Sequence, residues 1–196
     1  MTSDLDASLR LAHVYADKVV EALGCCVLSS LYYQVRDDEK GSFYPMKAES
    51  LMARYGENWD TKTKCTVMIA MAVSERKNGK LDSSMARCEE AMTIAMEKHD
   101  RASQAYCILT FADIHRQRAD TDRSVPRYTA AIKMFRDIGD KFGLIQAQIG
   151  MAKSLASCEK YKDAMNYYRL AVQTCHETEN KVIILRCMTP ITCPLS

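Results

Sequence analysis

RASQAYCILTFADIHRQRADTDRSVPRYTAAIKMFRDIGDK, residues Arg101–Lys141, meets a copy of itself when moved forty places along the chain in either direction. Asp100, Asp140 and Asn180 stand one period apart, each followed by a base (Arg101, Lys141, Lys181), and Ala91, Ala131 and Ala171 keep the same spacing. Inside the stretch, two amphipathic patterns of helical period flank a polar break at Ala119-Asp120. A hairpin of two such helices cannot bury its own apolar face and must stack on a neighbour. The expected fold is therefore all-α, a right-handed superhelical solenoid of antiparallel helix hairpins repeating about every forty residues.

Working outward, Met68, Met71, Ala72 and Glu75 align with Ile108, Phe111, Ala112 and His115, and with Gln148, Met151, Ala152 and Leu155, as the inner faces of first helices. The second helices carry Ser84/Cys88/Ala91/Met92/Ala95 and the matching residues forty and eighty places on, spaced i, i+4, i+7, i+8 and i+11. Asp60, Asp100 and Asp140 open the first helices as N-caps, their carboxylates accepting from exposed amides of the next turn. Hairpins are expected over 17–56, 60–97, 100–137 and 140–177. A trailing helix over 5–16 precedes them, and the start of another repeat, 180–188, and a non-helical tail, 189–196, follow. Asp17 to Asp60 is 43 positions, three more than later periods. Pro45 is awkward in a helix near Ser42–Arg54, since an interior proline costs about 3 kcal/mol, so that helix is expected to start late or kink. An array that starts and stops in the middle of a repeat is expected to be a fragment, a shortened isoform or a chain capped by self-association.

Composition narrows the function classes. Hydrophobic residues at 47% and charged residues at 27% suit a folded protein. The net charge of +2, without runs of like charge, gives nucleic acid no electrostatic footing. Neither a signal peptide nor a membrane-spanning apolar run is evident, which points to the cytoplasm. Nine cysteines form no CxxC pair and four histidines keep no ligand spacing, so reduced, packed thiols are expected, with no metal and no cofactor.

Small residues at Ala72/Ser84/Ala91, Ala112/Ser124/Ala131 and Ala152/Ala164/Ala171, where helices cross closely, resemble the tetratricopeptide pattern. The common repeat has about 34 residues, and the surplus six are expected to lengthen the first helix. Phe111-Ala112-Asp113-Ile114-His115-Arg116 with Pro126-Arg127-Tyr128, Cys88-Glu89-Glu90-Ala91-Met92 and Leu9-Arg10-Leu11-Ala12-His13 is similar to the tetratricopeptide region of the rapsyn family, receptor-associated scaffolds of the synapse. The resemblance covers roughly residues 7 to 188. It implies a non-enzymatic scaffold that self-associates, clusters nicotinic acetylcholine receptors and joins them to the cytoskeleton beneath the postsynaptic membrane. Met1-Thr2-Ser3 offers no glycine for myristoylation, and the family's coiled coil and RING module have no counterpart here. The expectation is a chain with protein partners but no direct membrane anchor.

In the tetratricopeptide framework the groove-lining places fall on Arg76 and Lys77, on Tyr106, Leu109, Thr110, Asp113 and Arg116, and on Ile149 and Lys153. Apolar places beside bases would suit an acidic linear peptide, and an adapter delivering such a peptide to a separate catalytic module is the alternative function. The clamp with which chaperone-binding relatives grip a carboxylate is not expected, since its places hold Ile69/Val73, Leu109/Asp113 and Ile149/Lys153. Asp113 and His115, two apart, point to different helix faces, and no catalytic residue is expected; His115 reads as packed.

Overall fold

Most of the described helices start or stop on a local signal, and from Asp60 onward the signals recur at a regular spacing. The computed structural model describes residues 17–34 and 37–177. The expected helix over 5–16, the repeat start over 180–188 and the tail 189–196 lie outside them. The described helices are α1 (Lys18–Gln34), α2 (Asp38–Tyr55), α3 (Thr61–Lys77), α4 (Leu81–Glu97), α5 (Arg101–Gln117), α6 (Thr121–Ile138), α7 (Lys141–Ala156) and α8 (Tyr161–Glu177), with a short 3₁₀ turn at Gly56–Asn58. Among the described residues there is no strand, and no helix is long and apolar enough to cross a membrane. The fold is all-α, built of helix hairpins.

Six of these helices open on an aspartate. Asp17, Asp37, Asp60, Asp100, Asp120 and Asp140 each accept a hydrogen bond from an amide of the first turn, at 2.9 to 3.2 Å. Each such cap contributes about 1 kcal/mol. The other ends are equally regular. Gly79, His99, Ala119, Gly139 and Glu159, twenty residues apart, all have positive φ, between 53° and 78°. The amide after each bonds a carbonyl five residues back (Lys80 to Glu75, Asp100 to Ala95, Asp120 to His115, Asp140 to Phe135, Lys160 to Leu155) at 2.9–3.0 Å. This is the Schellman closure, which satisfies the carbonyls a helix end leaves over. Stops every twenty residues make the two helices of a hairpin nearly equal, at 16 to 18 residues. The surplus over the common repeat therefore does not fall on the first helix alone.

The chain divides into two units inside α5, between Ser103 and Gln104. In the first, α1 pairs with α2 and α3 with α4, and α1 packs beside α3. Ala22, Cys25, Cys26, Ala48, Leu51, Val67 and Met71 form its core, and Trp59, just past the three extra residues of the longer period, packs on it. The helix expected near Ser42–Arg54, to start late or kink, starts earlier instead, at Asp38, so Pro45 lies in its interior. Without an N–H, Pro45 cannot bond the Gly41 carbonyl. The Ser29 hydroxyl, fully buried, donates to that carbonyl instead at 3.2 Å, and Asn78 donates in turn to Ser29 at 2.7 Å. A side chain from the facing helix thus replaces the missing amide.

The second unit centres on Ala105, Leu109, Ala112, Tyr128, Ala131, Ile132, Phe135, Ala147, Met151 and Leu155. Here α6 drives two rings, Tyr128 and Phe135, into α7, where two glycines receive them. A Cβ at Gly150 would run into the Tyr128 ring, and one at Gly143 into the Phe135 ring. Both aromatic residues are fully buried. Two glycines in a helix interior cost about 1 kcal/mol each in propensity; close seating of two large rings offsets that cost.

Glycine chemistry can be tested in both directions. Ala119 sits at φ 57°, where a side chain costs about 1 kcal/mol, so Ala119→Gly is expected to raise the urea midpoint by a comparable stability gain. Gly150→Ala is expected to lower it by about 2 kcal/mol through overpacking against Tyr128. An unchanged midpoint in either variant would remove the stated cause.

Candidate functional site

The expected groove residues are divided between the units. Those of the second unit begin with Asp113, which stands at the end of a buried phenol. Tyr128, on α6, donates its hydroxyl to Asp113 at 2.5 Å and receives Arg116 Nε at 3.1 Å. An Arg116 nitrogen also lies 3.6 Å from Asp113. Burial, with the Asp113 charge added to it, pushes the Tyr128 phenol well above its ordinary range, so it stays protonated and donates. Arg116 is thereby matched in charge and hydrogen-bonded within its own hairpin. Its role in this structure is to close a polar cluster over the crossing of α5 and α6.

Tyr106, one turn before Thr110, is tied differently. Its hydroxyl donates to Asp140 at 2.7 Å, and its ring meets Phe135 edge-on at 4.9 Å. Asp140 thus serves twice, capping α7 through one oxygen and anchoring α5 through the other. Burial and that carboxylate hold the Tyr106 phenol well above its usual range. Leu109 and Thr110 are 6% and 2% exposed, so they offer almost no surface to a partner. Leu109 belongs to the core cluster, and the Thr110 hydroxyl bonds back to the Tyr106 carbonyl. Ile149 packs against Ile145, Ala171 and Cys175, and Lys153 is exposed. Ala131 and Ala171 are buried at the crossings.

In the first unit Arg76 is buried and Lys77 is exposed. Ala91 is fully buried, and Cys65 donates to its carbonyl at 3.5 Å. Several charges of this unit are engaged internally. Arg87 bridges Glu75 and Glu49, each at 2.9 Å. Glu21, 2% exposed, lies 3.0 Å from Lys18 and 2.9 Å from Lys47. Burial would raise the Glu21 pKa, but hydrogen bonds from the two lysines outweigh it and hold the carboxyl below its ordinary value.

Of the cysteines in the described residues, Cys25, Cys26, Cys65, Cys88, Cys107 and Cys175 are buried free thiols and Cys158 is exposed. Burial pushes Cys25 up to about 11 and Cys26 up to about 12, far from the thiolate that chemistry needs. Among the described residues no group of three or more His, Cys, Asp or Glu is placed to hold a metal ion. Asp113 and His115 point apart, the one to Tyr128 and the other to Asp120 at 3.3 Å.

Polar anchors were the part that sequence reasoning missed. Tyr128 was read only as a packing position of its helix, and hydroxyls and amides such as those of Ser29 and Asn78 carry no periodic signal of their own. Pro45 was the one available clue, because it implied an orphan carbonyl in need of a donor.

No protein-family model matches the chain. It is 36% identical over 181 residues to the 43 kDa receptor-associated protein of the synapse from Tetronarce californica, an alignment covering 92% of this chain and 44% of that protein. It is 43% identical over 127 residues to the protein of the same name from Gallus gallus, covering 65% of this chain and 31% of that one. The chain spans less than half the length of these curated relatives. They bear out the resemblance to the rapsyn family. Among solved structures, it is similar to BtubC from P. vanneervenii (TM-score 0.64, 16% identity, 89% of this chain and 72% of that one). It is also similar to a signal transduction ATPase with numerous domains carrying a tetratricopeptide repeat sensor, from Pyrococcus horikoshii (TM-score 0.61, 18% identity, 92% and 28%). At these identities the likeness speaks to the fold, which is tetratricopeptide-like.

His115 provides a test of the second unit's electrostatics. It is 5% exposed. Burial and then Arg127 lower its pKa, Arg123 adds to this, and Asp120 opposes it. A histidine held neutral in the fold takes up its proton later than in the unfolded chain. Stability is then full above the unfolded value of about 6.5 and is lost as pH falls from there through the folded value. Urea midpoints between pH 7.5 and 5 are expected to slope downward with acid, and His115→Gln to flatten that slope. Equal slopes would show that His115 is not the group responsible.

Proposed function

We propose that the chain is a non-enzymatic protein–protein interaction scaffold of the receptor-associated kind found at the synapse. The observation that carries this reading is similarity along 92% of its length to a protein named for that association. The scaffold's finer properties follow the family resemblance. It self-associates, participates in clustering nicotinic acetylcholine receptors, and connects them to the cytoskeleton on the cytoplasmic side of the postsynaptic membrane.

Physical support comes from where the chemistry has gone. In the described helices several charged and hydroxyl groups cap helices or bridge them, as Asp140, Arg87 and Tyr128 do. Such use of polar groups fixes the stacking of hairpins, and stacked hairpins present extended surface to other proteins. The adapter reading receives less support. Arg116 is already matched by Asp113, and Leu109 and Thr110 are buried, which takes away three of the places an acidic peptide would use.

Coexpression of this chain with a nicotinic receptor and the full-length 43 kDa receptor-associated protein tests the proposal. The chain is expected to co-precipitate with the full-length protein and to enter receptor clusters, or to reduce their number by competing for the same surfaces. Absence from the precipitate together with unaltered clusters would overturn it.

A further inference from the structure

Two rings that help fill the second unit have no counterpart forty places earlier. Tyr106 sets its ring edge-on to Phe135 at 4.9 Å and donates its hydroxyl to Asp140. In the first unit Thr66 stands in the place of Tyr106 and Ala95 in the place of Phe135, while the acid is kept as Asp100. Ser103, in the place of Gly143, adds only a hydroxymethyl group, whose hydroxyl donates to Asp100 at 2.7 Å. The first unit has a hollow here, of about 300 Å³, lined by Cys65, Ile94, Ala95 and Asp100 together with Lys62 and Lys98. Cys65 and Ala95 are buried, Ile94 and Asp100 are half-buried, and the two lysines are exposed. Its walls are therefore apolar at depth and charged at the mouth.

We propose that this hollow receives a tyrosine side chain of a partner protein, its ring against Cys65, Ile94 and Ala95 and its hydroxyl donating to Asp100. Asp140 and Tyr106 supply the precedent, an acid at the same place in the repeat accepting from a phenol. Asp100 also has the capacity to accept. An ionised carboxylate offers about four acceptor sites, and Asp100 fills three, with the amides of Ala102 and Ser103 and the Ser103 hydroxyl. Burial would raise the Asp100 pKa, but hydrogen bonds from Ser103 and Ala102, with the Lys62 charge, hold its carboxyl below the ordinary value, so it stays an acceptor. An acceptor beside apolar walls selects a ring that carries a donor. Phenylalanine would leave the acceptor desolvated without a new partner. A phosphorylated tyrosine would set its charge against Asp100 and against Asp60, which also lines the hollow.

The test uses the full chain with isotope-labelled methyl groups on alanine and isoleucine, titrated with N-acetyl-tyrosinamide while the Ala95 and Ile94 signals are followed by NMR. Upfield shifts from the seated ring are expected. N-acetyl-phenylalaninamide is expected to bind about tenfold more weakly, as the loss of one hydrogen bond to a charged group implies. Asp100→Asn keeps a good helix cap and is expected to bring the two probes level. Thr66→Tyr supplies the missing ring from within, so it is expected to abolish binding of the tyrosine probe without lowering the urea midpoint. Methyl signals that do not move, equal binding of the two probes to the unaltered chain, or tighter binding of N-acetyl-phosphotyrosinamide would each overturn the proposal. Tyrosine-probe binding that survives Thr66→Tyr would place the ring elsewhere and overturn it as well.

Discussion

The spacing of helix ends constrains everything else in this chain. Left-handed residues fall every twenty positions from Gly79 to Glu159, and each closes its helix by the same pair of hydrogen bonds. Because successive helices are cut to nearly one length, a face on one meets a face of equal extent on the next. Small residues such as Ala131 and Ala171 can then recur at the crossings without a compensating shift. The aspartates that open the helices set the other boundary, and Asp140 shows how a cap is also put to tertiary use by receiving Tyr106 from α5.

Much of this was legible in the sequence, for reasons that can be named. Period and face are written in apolar residues, and Tyr128, Ala131, Ile132 and Phe135 are buried where a forty-residue repeat requires. Aspartate caps are equally visible, since a carboxylate one residue before an amphipathic pattern has few other uses. Helix stops were only half visible. Gly79 and Gly139 announce a left-handed residue, whereas His99, Ala119 and Glu159 take the same conformation with side chains that give no warning. The start of α2 was misjudged because proline is an unfavourable helix former. What makes Pro45 tolerable is Ser29, sixteen residues away in sequence and on another helix, and no local pattern records that pairing.

The candidate site was less legible than the fold. Framework positions select residues by their place on a helix, but exposure depends on what the neighbouring helix brings. Leu109 and Thr110 are covered, and Arg116 finds an acid three residues before it on its own helix and a phenol on the next. Motif resemblance was more informative than position. The run Phe111–Arg116 pointed to the rapsyn family, and similarity to the 43 kDa receptor-associated proteins agrees with it. That run mixes a half-buried aromatic, a buried alanine and both charged members of the polar cluster, so its residues serve packing and electrostatics together.

The buried thiols have a consequence for the lifetime of the molecule. Cys25 and Cys26 lie in the first unit's core with their ionisation pushed to about 11 and about 12, and four more thiols are equally enclosed. While the chain is folded, these six sulfurs are out of an oxidant's reach. Once it opens, the enclosed thiols become accessible, and any cross-link that forms traps the opened chain. Unfolding in an oxidising medium is therefore a one-way event, and the time this protein spends folded is also the time for which its cysteines stay chemically young.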